Sequence, residues 1–397
     1  MVDSIEAVVG GTICVDVFPG FGHLGEGKFE RLFQPGGVIT VGPAIFSTGG
    51  PVSNTGLALD RLGIATRLIG KVGDDFFGGV TRSLVEKINP NLASGLVVAA
   101  GETTSYTIVI SPPGEDRFFL HCHGVNDTFC ADDIDMDLVA RARLFHFGYP
   151  PTMRRMYIEG GKELSLVLRR AKSTGVTTSL DMTSLDPTTE SGQVDWVSVL
   201  RAALPYVDIF LPSFEETLYA LRRATFDRLT RKAPEAGLLS HATAGLLAEL
   251  SREMIGMGVK IAGLKLGDRG LYLRTAGREA LLSLGRAAPS GLEEWADQEL
   301  WAPCFRVNVV GTTGSGDATI AGFLSALLRN FPPRRAVNAA VAVGACNVEA
   351  ADALSGLRSW ESTLARIAQG WERLPVTVNA PGWTYDGKHG LWVGPAF

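Results

Sequence analysis

What this chain lacks narrows its function before any motif is read. Its 397 residues hold only five cysteines, at positions 14, 122, 130, 304 and 346, with no CxxC pair and no Cys/His spacing of a zinc site. That usage points to a reducing, cytoplasmic compartment. No block of five or six basic residues is present to follow a phosphate backbone or an anionic membrane, and 37 Lys+Arg against 42 Asp+Glu leave a net charge of −5. Nucleic acid and membrane surfaces are not expected partners. A long apolar run is also missing: residues 32–59 carry no charge, yet Pro35, Pro43, Pro51 and six glycines interrupt them, so they read as loops and short strands rather than a span. The opening MVDSIEAVVGG has acids where a secretory signal would have Lys or Arg, and no export signal is expected. With 46% hydrophobic and 20% charged residues the chain is not disordered.

What it has in excess is glycine, 47 residues, against a usual share of about 7%. Short β-rich runs alternate with amphipathic helical stretches, the pattern of a doubly wound, mainly parallel sheet with helices on both faces, read here as a single α/β domain over 1–397. The expected strands are Ala7–Val15, Leu144–Gly148, Thr177–Asp181, Val207–Leu211, Lys260–Leu266 and Arg306–Val310. Functional residues are expected beyond their carboxyl ends. Two segments, about 17–48 and 100–124, break the alternation; Ser105–Ile110 and Arg117–Cys122 read as strands joined by a Pro-Pro-Gly-Glu-Asp turn, so the two segments form a small β lobe. Stretches near 222–249 and 275–301 read as insertions without chemistry. His121-Cys122-His123 puts two imidazoles on one strand face with no third ligand in view, which favours a structural role over a metal.

Three glycine clusters could handle phosphate. Gly20-Phe21-Gly22-His23-Leu24-Gly25 matches GxGxxG, but no long periodic helix follows and no acid stands about 20 residues on, so it reads as a lobe loop. Gly311-Thr312-Thr313-Gly314-Ser315-Gly316-Asp317-Ala318 precedes a helix with apolar Ile320, Phe323, Leu324, Leu327 and Leu328. It has the glycine spacing of a P-loop, with Asp317 in place of the lysine and Ala318 in place of the metal-binding hydroxyl, which excludes that motif. Backbone N–H groups at a helix N-terminus with one carboxylate in the same turn make an anion hole beside a base, the parts of phosphoryl transfer; a plain helix-capping Asp is the alternative. The third cluster, Gly49-Gly50-Pro51-Val52-Ser53-Asn54, offers close backbone approach and an amide for a hydroxyl, and Asp16, at the carboxyl end of the first expected strand, offers a second acceptor.

Together these residues resemble the ribokinase-like (PfkB) family of carbohydrate kinases. VVGTTGSGDATIAGFLSALL is similar to its second signature, D-T-x-G-A-G-D followed by an apolar helix, and GGPVSNTGLALDRLG with GKVGDDFFGG is similar to its first. The resemblance implies a ribokinase-like fold with a β-sheet lid, and an ATP-dependent sugar kinase with Mg²⁺ and room for a monovalent cation. It implies Asp317 as general base, with Gly314, Ser315 and Gly316 as the anion hole, and sugar hydroxyls held by Asp16, Gly49, Gly50 and Asn54. Ser213, Lys265, Gly267, Gly270 and Thr313 would line the nucleotide, and Glu216 would organise Mg²⁺ through water. The chain departs from the family pattern at Gly311 for the opening aspartate, Ser213 for the asparagine of N-x-x-E, Lys265 for a common threonine and Ser315 for alanine.

Rival readings remain at this point. A nucleoside kinase needs Phe18, Phe118 or Phe119 to stack on a base. A sugar-phosphate kinase needs cations such as Arg117, Arg154 or Arg155. A sugar-binding regulator without catalysis belongs to a different class, and a lid with exposed edges makes a homodimer a candidate assembly.

Overall fold

The computed structural model describes residues 5–21, 35–111, 118–232 and 237–395. Among them, ten strands form the main sheet in the spatial order Thr384–Asp386, Leu391–Val393, Glu299–Ala302, Leu271–Thr275, Ile261–Lys265, Ile209–Phe210, Thr177–Leu180, Leu144–Gly148, Ala7–Gly11 and Thr66–Ile69. The last six run parallel, and the first four add antiparallel at the far edge. Parallel strands need cover on both faces, and successive side chains supply it. Val8, Phe145, Phe210 and Ala262 pack on one side, while Ala7, Val9, Leu144, Ile209 and Ile261 pack on the other.

The helices divide accordingly. Lys162–Ser173 faces the first cluster with Leu164, Val167, Leu168 and Ala171, the spacing of one helical stripe. Ser315–Leu328 is buried nearly all round because Pro51–Arg61 and Pro333–Asn347 lie against it on the second face. From Ala7–Gly11 the chain goes first to Thr66–Ile69 on one side and later to Leu144–Gly148 on the other. That reversal opens a crevice beyond Gly11 and Gly148, where α/β sheets take ligands.

A separate four-stranded sheet, in the order Gly42–Gly49, Cys14–Gly20, Tyr106–Ile110, Phe118–Cys122, forms the lid. Residues 22–25 of the GxGxxG cluster, the Pro-Pro-Gly-Glu-Asp turn and Arg117 lie outside the described residues.

Three expectations are corrected. Ala7–Val15 is not one strand: it breaks at Thr12 and Ile13, so Asp16 sits in the lid rather than at the carboxyl end of the first strand. Arg306–Val310 is not a strand; Arg306 N–H bonds Glu372 O and Val310 N–H bonds Val348 O, two separate segments that give no ladder, and Val309 and Val310 are exposed. The stretches near 222–249 and 275–301 are insertions only in part: Arg223–Lys232 buries nothing, but Ala244–Gly256 packs Leu247, Leu250 and Met254 into the core, Leu281, Leu284 and Trp295 join the core of the second face, and Glu299–Ala302 is a strand of the main sheet. No described helix is long and apolar enough to cross a membrane.

Candidate active site

Asp317 lies at the centre of the crevice. It is the third residue of the helix Ser315–Leu328, whose cap is Gly314 at φ 70° with no side-chain cap bond. The capping alternative therefore fails. The carboxylate, 2% exposed, accepts from three side chains on two other elements: Oδ2 from the Tyr149 hydroxyl at 2.7 Å and from Asn54 Nδ2 at 3.1 Å, Oδ1 from Thr55 Oγ1 at 3.0 Å. A carboxylate has about four lone-pair sites, so one remains on Oδ1. Burial, then the charges of Asp317 and Asp181, push the Tyr149 phenol well above its usual range, so it stays a donor.

Asn54 and Thr55 reach Asp317 from the first turns of the helix Pro51–Arg61, and Gly50 at φ 82° caps that helix. With Nδ2 on Asp317, Asn54 Oδ1 is buried with no partner among the described residues, an acceptor left unused by the protein. Gly49 ends the lid strand Gly42–Gly49 and pairs with Cys14, two residues before Asp16, and a Cβ on it would come within 2.3 Å of Asp16 Oδ2. Glycine lets the lid carboxylate fold back toward the crevice. Burial raises the Asp16 pKa despite hydrogen bonds from Cys14 and Thr107. Strand register puts Asp16, Thr107 and His121 in one row across the lid, with Thr107 Oγ1 3.0 Å from His121 Nδ1. The His121 and His123 rings meet edge-on at 4.8 Å.

On the other side of Asp317 is a cavity of about 680 Å³, lined by Gly314, Ser315 and Gly316, by Ser213 and Glu216, and by Lys265, Gly267 and Gly270. The expected nucleotide-side residues are thus brought together, with Thr312 rather than Thr313 on the wall. Ser213 and Glu216 form a reciprocal capping box: Ser213 N–H donates to Glu216 Oε2 at 2.7 Å and Glu216 N–H to Ser213 Oγ at 3.1 Å. Lys265 Nζ pairs with Asp181 Oδ1 at 2.6 Å. Phe305, Val307, Val309, Val341 and Leu374 form an apolar portion of the wall. Among the described residues no group of three or more His, Cys, Asp or Glu is close enough to hold a metal by itself.

Sequence reasoning missed Tyr149, Thr55 and Asp181. Tyr149 follows the strand Leu144–Gly148 and Asp181 follows Thr177–Leu180, so the rule that sites form beyond strand ends could have found both. Thr55 carried no signal beyond its place beside Asn54.

Residues 29–360 match the family model described as pfkB family carbohydrate kinase. The chain is 26% identical over 320 residues to the ATP-dependent ribose-1-phosphate kinase of Halopiger xanaduensis, covering 80% of this chain and 86% of that protein. It is 24% identical over 288 residues to fructokinase-2 of Zea mays, covering 71% and 72%. The structure of Arabidopsis thaliana ribokinase complexed with ribose and ATP aligns with a TM-score of 0.66 at 18% identity, over 91% of this chain and 98% of that one. The shared fold is ribokinase-like.

Proposed function

Because the chain belongs to the pfkB family of carbohydrate kinases, and so is a phosphotransferase acting on sugar alcohols, we propose that it moves the γ-phosphoryl group of ATP to a sugar hydroxyl bound between the lid and Asp317. One observation carries this reading: a single buried carboxylate, tied by three donors, lines a cavity of about 680 Å³ that ends at a helix N-terminus. The acceptor hydroxyl gives its proton to the free site on Asp317 Oδ1, while its other hydroxyls meet Asp16 and Asn54 Oδ1. The N–H groups of Gly314 and Gly316, and that of Ser315 on giving up its 3.2 Å bond to Thr312 O, take the charge that builds on the transferred group. The lid keeps out water, the competing acceptor.

Glu216 fits Mg²⁺ held through water. Its Oε2 is committed to Ser213, while the residue itself lines the cavity, and a site without three protein ligands suits a cation that keeps its waters and binds mainly phosphates. When bound, Mg²⁺ would neutralise phosphate charge.

A second acceptor class has its own support. Alternation and register put Phe18 and Phe119 on the lid face that carries Asp16, and Phe118 on the opposite face. Phe18 and Phe119 could therefore stack on the base of a nucleoside whose ribose meets Asp16, whereas Phe118 could not. The cations of a phosphate-bearing acceptor are less well placed: Arg154 is engaged by Glu190 through two bonds of 2.8 Å. An ADP-release assay across sugars, sugar phosphates, sugar acids and nucleosides tests these readings. Turnover with one acceptor class identifies the substrate, and ATP binding without turnover across the panel would favour a catalytically silent regulator.

A further inference from the structure

The cavity wall contains a lysine, Lys265, whose ion pair with a buried carboxylate the transfer chemistry above does not use. Lys265 ends the strand Ile261–Lys265, and its ammonium stands 2.6 Å from Asp181 Oδ1, which follows a strand two positions away in the sheet. Asp181 is 1% exposed and its Oδ2 is buried with no hydrogen-bond partner among the described residues. A buried ion pair is weak evidence for stability, since well-packed apolar residues often do as well. A pair whose lysine lines a ligand cavity, with one carboxylate oxygen unused behind it, calls for a functional explanation.

Its position supplies one. Lys265 Nζ is 3.6 Å from where a Cβ on Gly316 would lie, so the ammonium rests against the first turn of the helix that forms the anion hole. Lys265 is the only lysine or arginine among the described residues lining the cavity, which also presents Glu215, Glu216, Asp268 and Asp317. A triphosphate entering there meets four carboxylates and one ammonium. Burial works against the charge on Lys265, but Asp181 and Glu216 outweigh it and hold the lysine protonated.

Resting on the kinase reading above, we infer that Lys265 is a further catalytic residue that contacts the terminal phosphates of the donor, and that Asp181 is the positioning residue that aims it. In the transfer, the bond from the γ-phosphorus to the β–γ bridging oxygen breaks and a bond to the acceptor oxygen forms. The electron pair leaves with ADP, and the acceptor proton goes to Asp317. Lys265 neutralises charge on the phosphoryl group and on the departing oxygen, as a fixed cation does more effectively in a water-poor site than in solvent.

The test begins with nucleotide binding, which needs no knowledge of the acceptor. Calorimetric titration with AMP and with a non-hydrolysable ATP analogue compares wild type, Lys265→Met, Lys265→Arg and the double variant Lys265→Met/Asp181→Asn. Lys265→Met is expected to bind the analogue about tenfold more weakly and AMP within about twofold of wild type. With the acceptor found by the panel, its kcat should fall by roughly 10²–10³ while acceptor KM stays within about threefold. Lys265→Arg should recover part of the loss because the charge is kept. The double variant removes both charges together, so it should regain thermal stability yet keep the low kcat. Equal weakening of AMP and analogue, or wild-type turnover in the double variant, would overturn the inference. A wild-type protein that binds the analogue but transfers to no acceptor defeats the kinase reading alone, because the contrast between AMP and analogue still decides the Lys265 contact.

Discussion

The two sides of this site are built on different principles. At the crevice, Asp317 is 2% exposed and is fixed by side chains from two other elements, the helix Pro51–Arg61 and the turn at Tyr149. In the lid, Ile45, Phe119 and Leu120 are more than half exposed, and Asp16 owes its place mainly to strand register and the missing side chain of Gly49. The crevice can hold reacting atoms to a narrow geometry because its neighbours are packed on a sheet covered on both faces. On the proposed reading, the more exposed lid is the part that can vary with the acceptor. Substitutions in the first region should therefore change kcat, and those in the second KM.

The largest effect should come from Asp317→Asn, which keeps the shape and removes the proposed base. Turnover is expected to fall by about 10²–10⁴ with acceptor KM nearly unchanged. Steady-state kinetics decide it, and near-normal kcat would remove Asp317 from the chemistry. Tyr149→Phe comes next. It deletes the 2.7 Å hydrogen bond to Asp317 Oδ2, and a bond to a charged group contributes about 1.5–3 kcal/mol. Denaturant unfolding should show a loss in that range, accompanied by lower kcat as the carboxylate loses one of its three tethers. A loss of stability with kcat untouched would make Tyr149 purely structural.

How far these two regions could be read from sequence follows from the same contrast. The signature helix, the Gly49–Gly50 turn and the parallel strands are local patterns of periodicity and glycine placement, and four of the six expected strands lie where the sequence put them, give or take a residue or two at their ends. Arg306–Val310 has the apolar content of a strand, but strand formation needs a neighbour of matching register, which is a tertiary fact. The break at Thr12 and Ile13, which moves Asp16 from the main sheet to the lid, lies within an apolar run and has no proline to mark it. Tyr149, Thr55 and Asp181 come to the site from positions up to 262 residues from their partners along the chain, and no local motif joins such residues. Only the rule about strand ends points toward two of them.

Gly49→Ala tests the lid side. The added Cβ would meet Asp16 Oδ2 at 2.3 Å, and the carboxylate can yield by turning away, so the cost should fall on binding rather than on folding. Acceptor KM is expected to rise about tenfold, equivalent to roughly 1.4 kcal/mol, with kcat within about threefold of wild type. A fall in kcat at unchanged KM would place Asp16 and Gly49 in the transfer step and erase the division between the two regions.

The smallest effect, and the one that discriminates most between acceptors, belongs to Phe119→Ser. Phe119 is 59% exposed, so its removal should alter folding stability by no more than about 0.5 kcal/mol. Its strand nevertheless places it on the Asp16 face, beyond His121 in the direction away from the crevice. A simple sugar held by Asp16 and Asn54 would not reach that far, and its KM should stay the same. A nucleoside would extend along the face, and losing one ring contact of about 0.5–1.5 kcal/mol should raise its KM roughly threefold to tenfold. Measuring both acceptors in the same variant separates the readings without altering the crevice. An equal change for both would mean that the exposed ring serves the lid itself, or a second copy of it packed against that face, and sedimentation of the variant against wild type would show which by a shift in mass.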